Sequence, residues 1–572
     1  MTAYPSHQPI PLYIAKKIYA IEQAWFEAGN DSYALMQQAS WGMANWIYQH
    51  LPSLVQSHAH SSAVTIHIWT GAGNNGGDGW CIAQYLYELT HKPNDEPLFD
   101  IQVIEVAEPS TPDSQRAKQY AIEAGVSSQA FVAGQHNTFG KHYRPDLIID
   151  ALFGIGLSRV PTGEYANAIR GINQAQQSGA TVIAVDVPSG LNASTGRVYT
   201  NEDDQPIAIH ADATLCVLAR KLGLHTKSGK DCAGQVIDMP LIPISTVSFV
   251  PDAWLLTKPK TLPKRMNDTH KGSFGHVLIV GGNRQTSGQG MGGAVMMSSE
   301  ACFAVGVGKV TVACHEAFHS SLLSRTPQAM VMTLPKKSNA QEHNDSGEDN
   351  TKNNTAENNT SATIKLSDAT LDLIASCDVM AIGMGLGRDE HSQAIFQAYL
   401  QAGRDAGLDL VIDADGLYHL ATLTQENEAL LGELKAYATK HTIYFTPHSG
   451  EAGRLLNKSA RDVEQDRLSA IKTLADKFGG AWLLKGAGSI VVENDNSYVC
   501  DVGNAGMATA GMGDVLSGIS SGLLAQSALP ASCRTLRQAV LMHGQAGDML
   551  AKEVGEYGLD ASMMALSLAK RD

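Results

Sequence analysis

The sequence is short of positive charge. Its 42 lysines and arginines stand against 57 aspartates and glutamates, a formal charge of −15. That balance excludes a surface built to coat nucleic acid, while leaving room for a local site for a small anion. The sequence also lacks paired cysteines. The eight, at 81, 216, 232, 302, 314, 377, 500 and 533, never fall at C-x-x-C spacing. Neither a zinc site nor a disulfide framework is indicated, and free thiols in a reducing cytoplasm are expected. Long apolar runs are missing too. No stretch of about 18 uncharged apolar residues occurs, so no membrane span is expected. The opening MTAYPSHQPIPLYIAKK has no apolar signal core.

What is present is apolar material for sizeable cores, 44% of 572 residues, in a chain too long for one ordinary domain. Short β-branched runs (AVTIHIW, FDIQVIEV, DLIID, TVIAVDV, ATLCVL) alternate with stretches of helical spacing such as TPDSQRAKQYAIEAG. That alternation predicts a parallel sheet covered on both faces. The pattern lapses into proline-spaced loop around 242–263 and resumes at GHVLIVGG. Two α/β domains are therefore expected, 1–247 and 248–572. Residues 336–361, KKSNAQEHNDSGEDNTKNNTAENNTS, hold almost nothing apolar and are predicted to be a disordered insertion in the second domain.

The first chemistry-bearing stretch is GAGNNGGDG, residues 71–79, straight after the AVTIHIW strand. Its glycines would let backbone amides approach an anion and would permit positive φ; Asp78 would cap the helix that follows. A tight strand-to-helix turn explains the same glycines, and the loop alone does not decide. It is neither G-x-x-x-x-G-K-[ST] nor a strict G-x-G-x-x-G. Two further strand ends sharpen the reading. DLIIDALFGIGLSR puts Asp150 at a strand terminus before a glycine-rich turn, and AVDVPSGLNASTG does the same with Asp186. Buried strand-end carboxylates need partners. They would suit a hard monovalent cation, a general base, or simple turn caps.

GAGNNGGDGW, DALFGIGLSR, AVDVPSGLNASTG and ADATLCVLARKLGL resemble the NAD(P)HX epimerase family over roughly residues 12–245. The resemblance implies a Rossmann-like three-layer αβα domain. It implies substrate contacts from Asn74, Asn75, Gly76, Gly77 and Asp78, from Tyr165, and from a phosphate-holding turn of Gly154, Ile155, Gly156, Leu157, Ser158, Arg159 and Val160. Asn75, Asp150 and Ser189 would bind potassium, and Asp186 would be the acid/base residue. LMQQAS at 35–40 departs from the family's usual LMExAG, a matter of packing or dimer contacts.

In the second half, NAGMATAGMGDVLSG reads as a glycine-rich loop opening a helix, with Asp514 in the first turn. Loop amides and helix N-terminus attract an anion, and an aspartate beside a bound phosphate can take the proton from an attacking hydroxyl. LLKGAGS, FTPHSGEAGRLL, AIGMGLGRD and HKGSFGHVLIVGG add polar loops at strand ends. These motifs resemble the ADP/ATP-dependent NAD(P)HX dehydratase family, a branch of the ribokinase-like α/β fold, from about residue 251 onward. Ser449 replaces the usual proline of TPHPGE, and Gly453 stands where alanine is common. The resemblance implies that Ala294, Gly387, His448, Ser449, Gly450, Glu451, Ala452, Gly453, Arg454 and Asp514 contact the substrate. Lys485, Gly486, Ala487, Gly488, Ser489, Asn504, Ala505, Gly506, Met507, Ala508, Thr509, Ala510, Gly511, Met512 and Gly513 would cradle ADP or ATP, with magnesium.

Together the halves imply a bifunctional NAD(P)H-hydrate epimerase and dehydratase that forms a homo-oligomer and engages neither nucleic acid nor membrane. The rival from another class is a small-alcohol kinase fused to a noncatalytic Rossmann-like module. It would make a stable phosphate ester.

Overall fold

In the computed structural model the residues described are 8–55, 63–91, 98–133, 145–284, 288–336 and 364–570. The predicted insertion at 336–361 lies outside them, apart from Lys336. No helix among the described residues is long and apolar enough to cross a membrane. The chain divides into two compact units, Met1–Leu256 and Thr257–Asp572.

The first unit starts with β1 (Ile10–Leu12) and carries a sheet of β2 (Val64–Thr70), β3 (Phe99–Glu105), β4 (Ser127–Ala130), β5 (Leu147–Ala151), β6 (Thr181–Val185), β7 (Ala213–Val217) and β8 (Gln235–Met239). A last strand, β9 (Ala253–Leu256), pairs antiparallel with β1. The seven-stranded sheet has the order β4-β3-β2-β5-β6-β7-β8, and every pairing in it is parallel. β5 is buried at every position, as expected of a strand covered on both faces. One face packs on helices 32–54, 74–90 and 112–124 through Met43, Ile47, Trp80 and Ala117; the other packs on helix 163–177 through Ile169 and Ile172. The winding reverses between β2 and β5, so the crevice outside their carboxyl ends is the topological switch point, where such sheets bind ligands.

The second unit is built likewise from β10 (His276–Val280), β11 (Lys309–Cys314), β12 (Met330–Thr333), β13 (Val379–Ile382), β14 (Asp409–Ile412), β15 (Ile443–Phe445), β16 (Ala481–Leu484), β17 (Ser489–Glu493) and β18 (Asn496–Cys500). Their order is β18-β17-β16-β15-β14-β13-β10-β11-β12. β10 to β16 pair in parallel, while β17 and β18 extend the sheet antiparallel. The switch point falls between β10 and β13. Helix 512–525 lies against helix 292–304 at very short range: a Cβ added at Gly518 would stand 2.2 Å from the Ser298 carbonyl oxygen. The glycines thus set how closely the helix bearing Asp514 can approach its neighbour.

Candidate functional sites

In the first unit, the Gly-Asn loop leaves β2 and enters a helix sooner than the sequence suggested. The helix runs from Asn74 to Thr90, with Gly73 as N-cap and no side-chain cap. Asp78 therefore does not cap it but sits one turn inside, its carboxylate 3.3 Å from the Ser40 hydroxyl. The expectation of positive φ also fails: none of Gly71, Gly73, Gly76 or Gly77 adopts it. Gly71, Gly76 and Gly77 serve close approach instead. A Cβ at Gly71 would lie 2.1 Å from Leu152 O, one at Gly76 would lie 1.9 Å from Gly71 O, and one at Gly77 would lie 2.8 Å from Met36.

Asn74, on the exposed rim, accepts a hydrogen bond from Thr111 at 2.5 Å. Asn75 turns inward beside Gly154, and its amide nitrogen is buried with no hydrogen-bond partner among the described residues. Tyr165 braces the loop: its hydroxyl accepts from the Ala72 amide at 3.1 Å, and its ring packs on Phe153 at 4.4 Å. In the turn that follows β5, Gly156, Ser158 and Arg159 are exposed while Gly154, Ile155, Leu157 and Val160 are half-buried. Tyr199 reaches in to donate to Leu157 O at 3.2 Å.

Asp150 is buried. It accepts from the Ser189 hydroxyl at 2.6 Å, the Ser189 amide at 2.8 Å and the Leu152 amide at 3.2 Å. All three donors are neutral, and burial pushes its carboxyl up to about 6 against them. A buried carboxylate without a countercharge, a serine hydroxyl and an asparagine amide converge at one strand end. That donor set fits a monovalent cation.

Asp186 follows β6 in the left-handed backbone region, φ +66°. Its Oδ1 accepts from Lys221 Nζ and, at 3.1 Å, from the Val217 amide. Lys221 is 1% exposed. Burial works against its charge, but Asp186 outweighs that and holds the ammonium above the ordinary lysine range. Two more acids face this pair. Burial, then the Asp186 carboxylate, push Glu22 up to about 7 and Asp78 well above its usual range. Tyr19 lies over the turn, its hydroxyl 2.8 Å from where a Cβ on Gly156 would be. Lys221, Glu22 and Tyr19 were not singled out from the sequence. Glu22 and Tyr19 sit on a helix, 15–27, whose spacing reads only as amphipathic.

In the second unit, helix 512–525 opens on Gly511 at φ +92°, with Asp514 in its first turn. Burial, reinforced by Asp413, pushes Asp514 up to about 7. Asp514, Ala294, Met291, Gly385, Arg388, Ala414 and Asp415 line one cleft of about 360 Å³. Gly387 stands at its edge, its amide donating to Asp415 at 2.9 Å.

Beneath the helix N-terminus, Lys485 donates to Asp413 at 2.9 Å and Ser517 donates to the other Asp413 oxygen at 2.6 Å. Lys485 also stands 4.0 Å from Glu451. Burial pushes Glu451 up to about 7. Asp413 goes the other way: against the desolvation of burial, Lys485 and Ser517 hold it below the usual range.

His448 is the N-cap of helix 449–456; its ring accepts from the amides of Gly450 and Glu451, and Glu451 returns a capping-box bond to His448 N at 2.9 Å. Ser449 binds Glu464. Arg454 stacks over Tyr418 at 4.2 Å. Ala452, Gly453 and Met512 are buried on the packing side of their helices, so any contact they make with a ligand is through backbone.

The 485–489 loop is turned by Gly486 (φ +145°) and Gly488 (φ +61°). It is held from behind by buried Arg467, which donates to the carbonyls of Ala487 (2.7 Å), Leu484 (3.1 Å), Lys485 (3.2 Å) and Gly488 (3.4 Å). The Lys485 amide donates to Pro447 O at 2.9 Å. Ser489 donates to Gly486 O at 3.0 Å. In the 504–513 segment, Asn504 is tied to Asp548 at 3.0 Å and accepts from Gly506 N at 3.1 Å. Met507 packs against Gly547, and Ala505, Ala508, Thr509 and Ala510 form an exposed rim.

Two doubly wound units, each with buried acids and glycine-rich loops gathered at its switch point, define a two-domain α/β enzyme. Residues 32–223 match the family model described as YjeF-related protein N-terminus, and residues 277–569 match that described as NAD(P)H-hydrate dehydratase. The bifunctional NAD(P)H-hydrate repair enzyme Nnr of Coxiella burnetii is 32% identical, over 96% of this chain and 97% of that one. The protein of the same name from Vibrio cholerae is 33% identical over 85% and 84%. A crystal structure of a ribokinase-like superfamily protein from Enterococcus faecalis superposes with a TM-score of 0.42 and 29% identity, covering 54% of this chain and 90% of that one. The chain belongs to the family of bifunctional NAD(P)H-hydrate repair enzymes.

Proposed function

We propose that the chain repairs hydrated NAD(P)H in two steps, one per unit. The first unit interconverts the R and S epimers of NAD(P)HX; the second dehydrates the S epimer at the expense of ADP or ATP. The observation that carries this reading is the coexistence on one chain of two separate carboxylate sites, at Asp186 and Asp514, along nearly the whole length shared with a relative named as a bifunctional NAD(P)H-hydrate repair enzyme.

In the first unit Asp186 is the acid/base group at the epimerised carbon. Asn74 to Asp78 and the turn from Gly154 to Val160 grip the dinucleotide, with backbone amides toward phosphate. Asn75, Asp150 and Ser189 would hold potassium, which supplies a fixed positive charge against the otherwise uncompensated Asp150.

In the second unit the obstacle is that hydroxide leaves poorly. Asp514 takes the proton from the hydrate's hydroxyl as its oxygen attacks the terminal phosphorus of the nucleotide, and the bond to the shortened nucleotide breaks. The new ester departs as phosphate with the C–O electron pair, and loss of a ring proton restores the dihydronicotinamide. Lys485 and the 486–489 and 504–513 loops receive the phosphates. Magnesium, which neutralises phosphate charge, would enter on the nucleotide, since no three His, Cys, Asp or Glu side chains gather as a metal cage among the described residues.

A cytoplasmic setting fits eight unbridged, buried cysteines, and assembly with copies of itself belongs to the same reading. The test is incubation of the pure protein with mixed NADHX epimers and ADP or ATP. NADH should regenerate completely; a stable phosphorylated product without NADH would mark a small-alcohol kinase instead.

A further inference from the structure

We propose that Lys221 is the positioning residue of the first site, holding one oxygen of the Asp186 carboxylate so that the other is presented to substrate. This rests on the reading of Asp186 given above.

The geometry is specific. Lys221 reaches Asp186 from the loop after β7, and all three of its N–H groups have acceptors: Asp186 Oδ1, Val217 O at 2.6 Å and Cys216 Sγ at 3.7 Å. It has no donor left for a ligand, which makes it a positioning group rather than a catalytic one. Asp186 Oδ1 is likewise committed, to Lys221 and to Val217 N. Its Oδ2 has no hydrogen bond among the described residues. One strand end therefore supplies both clamps: Val217 gives its N–H to the carboxylate and its C=O to the ammonium.

The neighbouring cation is used differently. Arg220 turns away to a bidentate pair with Asp238 on β8, at 2.7 and 3.0 Å. The loop that presents Lys221 is pinned by Tyr13, which donates to Arg220 O at 3.0 Å and accepts from Leu222 N at 2.9 Å. A fully buried ammonium is costly unless paired. Here its partner is a residue held at positive φ, a conformation that a non-glycine keeps only when its surroundings impose it.

The groups facing Asp186 sharpen the consequence. Glu22 and Tyr19 come from helix 15–27, Asp78 from helix 74–90 and Cys216 from β7. Lys221 is the cation within this group, with Arg220 and Asp238 behind it. Without Lys221, three carboxylates face one another around the reacting carbon and the left-handed turn loses its anchor.

The experiment uses the full chain with Lys221→Met, Lys221→Arg and Asp186→Ala. Exchange of NADHX epimers without nucleotide is followed by chromatography over a range of substrate concentrations, and a thermal melt reports that the first unit is folded. Lys221→Met should lower kcat for epimerisation ~10²-fold with little change in KM. Lys221→Arg, which restores the charge, should recover kcat to within about fivefold of wild type. Wild-type kcat in Lys221→Met, or a loss that falls on KM instead of kcat, overturns the proposal. Wild-type epimerisation by Asp186→Ala would instead overturn the reading on which it rests. Should Lys221→Met lose its melting transition, Lys221→Gln, which drops the charge and keeps a donor, is assayed with the same two outcomes.

Discussion

The two glycine-rich loops look alike as strings and differ in use. In the first unit no glycine of the Gly71–Gly77 stretch has positive φ, and three of its four glycines have other atoms where a Cβ would be. In the second unit Gly503 and Gly511 of the 503–513 loop lie at positive φ, as do Gly486 and Gly488 of the neighbouring 485–489 loop, while Gly506 and Gly513 do not. One loop uses glycine for lack of bulk, so that a helix can begin against a strand end. The other uses glycine for backbone freedom, so that amides can be turned toward a ligand. The acids differ in parallel. Asp186 is locked to a buried ammonium, whereas burial and a second aspartate push Asp514 up to about 7.

The largest expected effect tests the second half of that contrast. Asp514→Asn should cost dehydration ~10²–10⁴-fold, the usual range for a lost general base, while epimer exchange is untouched. In wild type, dehydration should fall as pH drops through about 7, because the base becomes protonated. Stability runs the opposite way. A carboxyl whose folded pKa lies above its unfolded value binds more protons when folded, so its contribution is lost as pH rises from about 4 to 7. Asp514→Asn should therefore melt higher than wild type at about pH 8, and the gap should close on acidification. Equal melting temperatures at both ends would contradict this.

Next in size is the glycine contrast. Gly76→Ala places a methyl 1.9 Å from Gly71 O, so the first unit should lose several degrees of melting temperature and its epimerase with it. Gly488→Ala meets a positive φ, about 1–2 kcal/mol of local strain. It should raise KM for ADP about tenfold and lower the melting temperature of the second unit by only about 2–4 °C, with the epimerase untouched. If both variants behaved alike, the two loops would not differ as described.

The smallest effect concerns Arg467. Arg467→Met should raise KM for the nucleotide more than KM for the hydrate, because four loop carbonyls lose their donor. Equal changes in both would assign Arg467 to bulk stability.

Much of the frame was legible in sequence because it is local. β5 and β6 are short β-branched runs that end on Asp150 and Asp186, and Asp514 follows a glycine-rich loop at a helix start. β4, β8, β12 and β18 were not read: SSQA, QVIDM, MVMT and NSYVC are too short or too polar to carry a period of their own. The partners of the acids were illegible for another reason. Lys221 lies 35 residues from Asp186, and Asp413 lies 72 from Lys485; only strand order brings them together. The start of helix 74–90 was misjudged because Gly76 and Gly77 are poor helix formers, and the close approach of Gly76 to Gly71 and of Gly77 to Met36 overrides that propensity.

The central claim is that two independent sites share one chain, and Asp186→Ala tests it most directly. The variant is given an epimer mixture and excess nucleotide, in an assay short against spontaneous epimer exchange. It should make NADH at the wild-type rate and then stop once the accepted epimer is exhausted. Adding a second protein that carries Asp514→Asn, whose first unit is intact, should restart it. Complete conversion by Asp186→Ala alone, at wild-type speed and well above the enzyme-free control, would contradict the account.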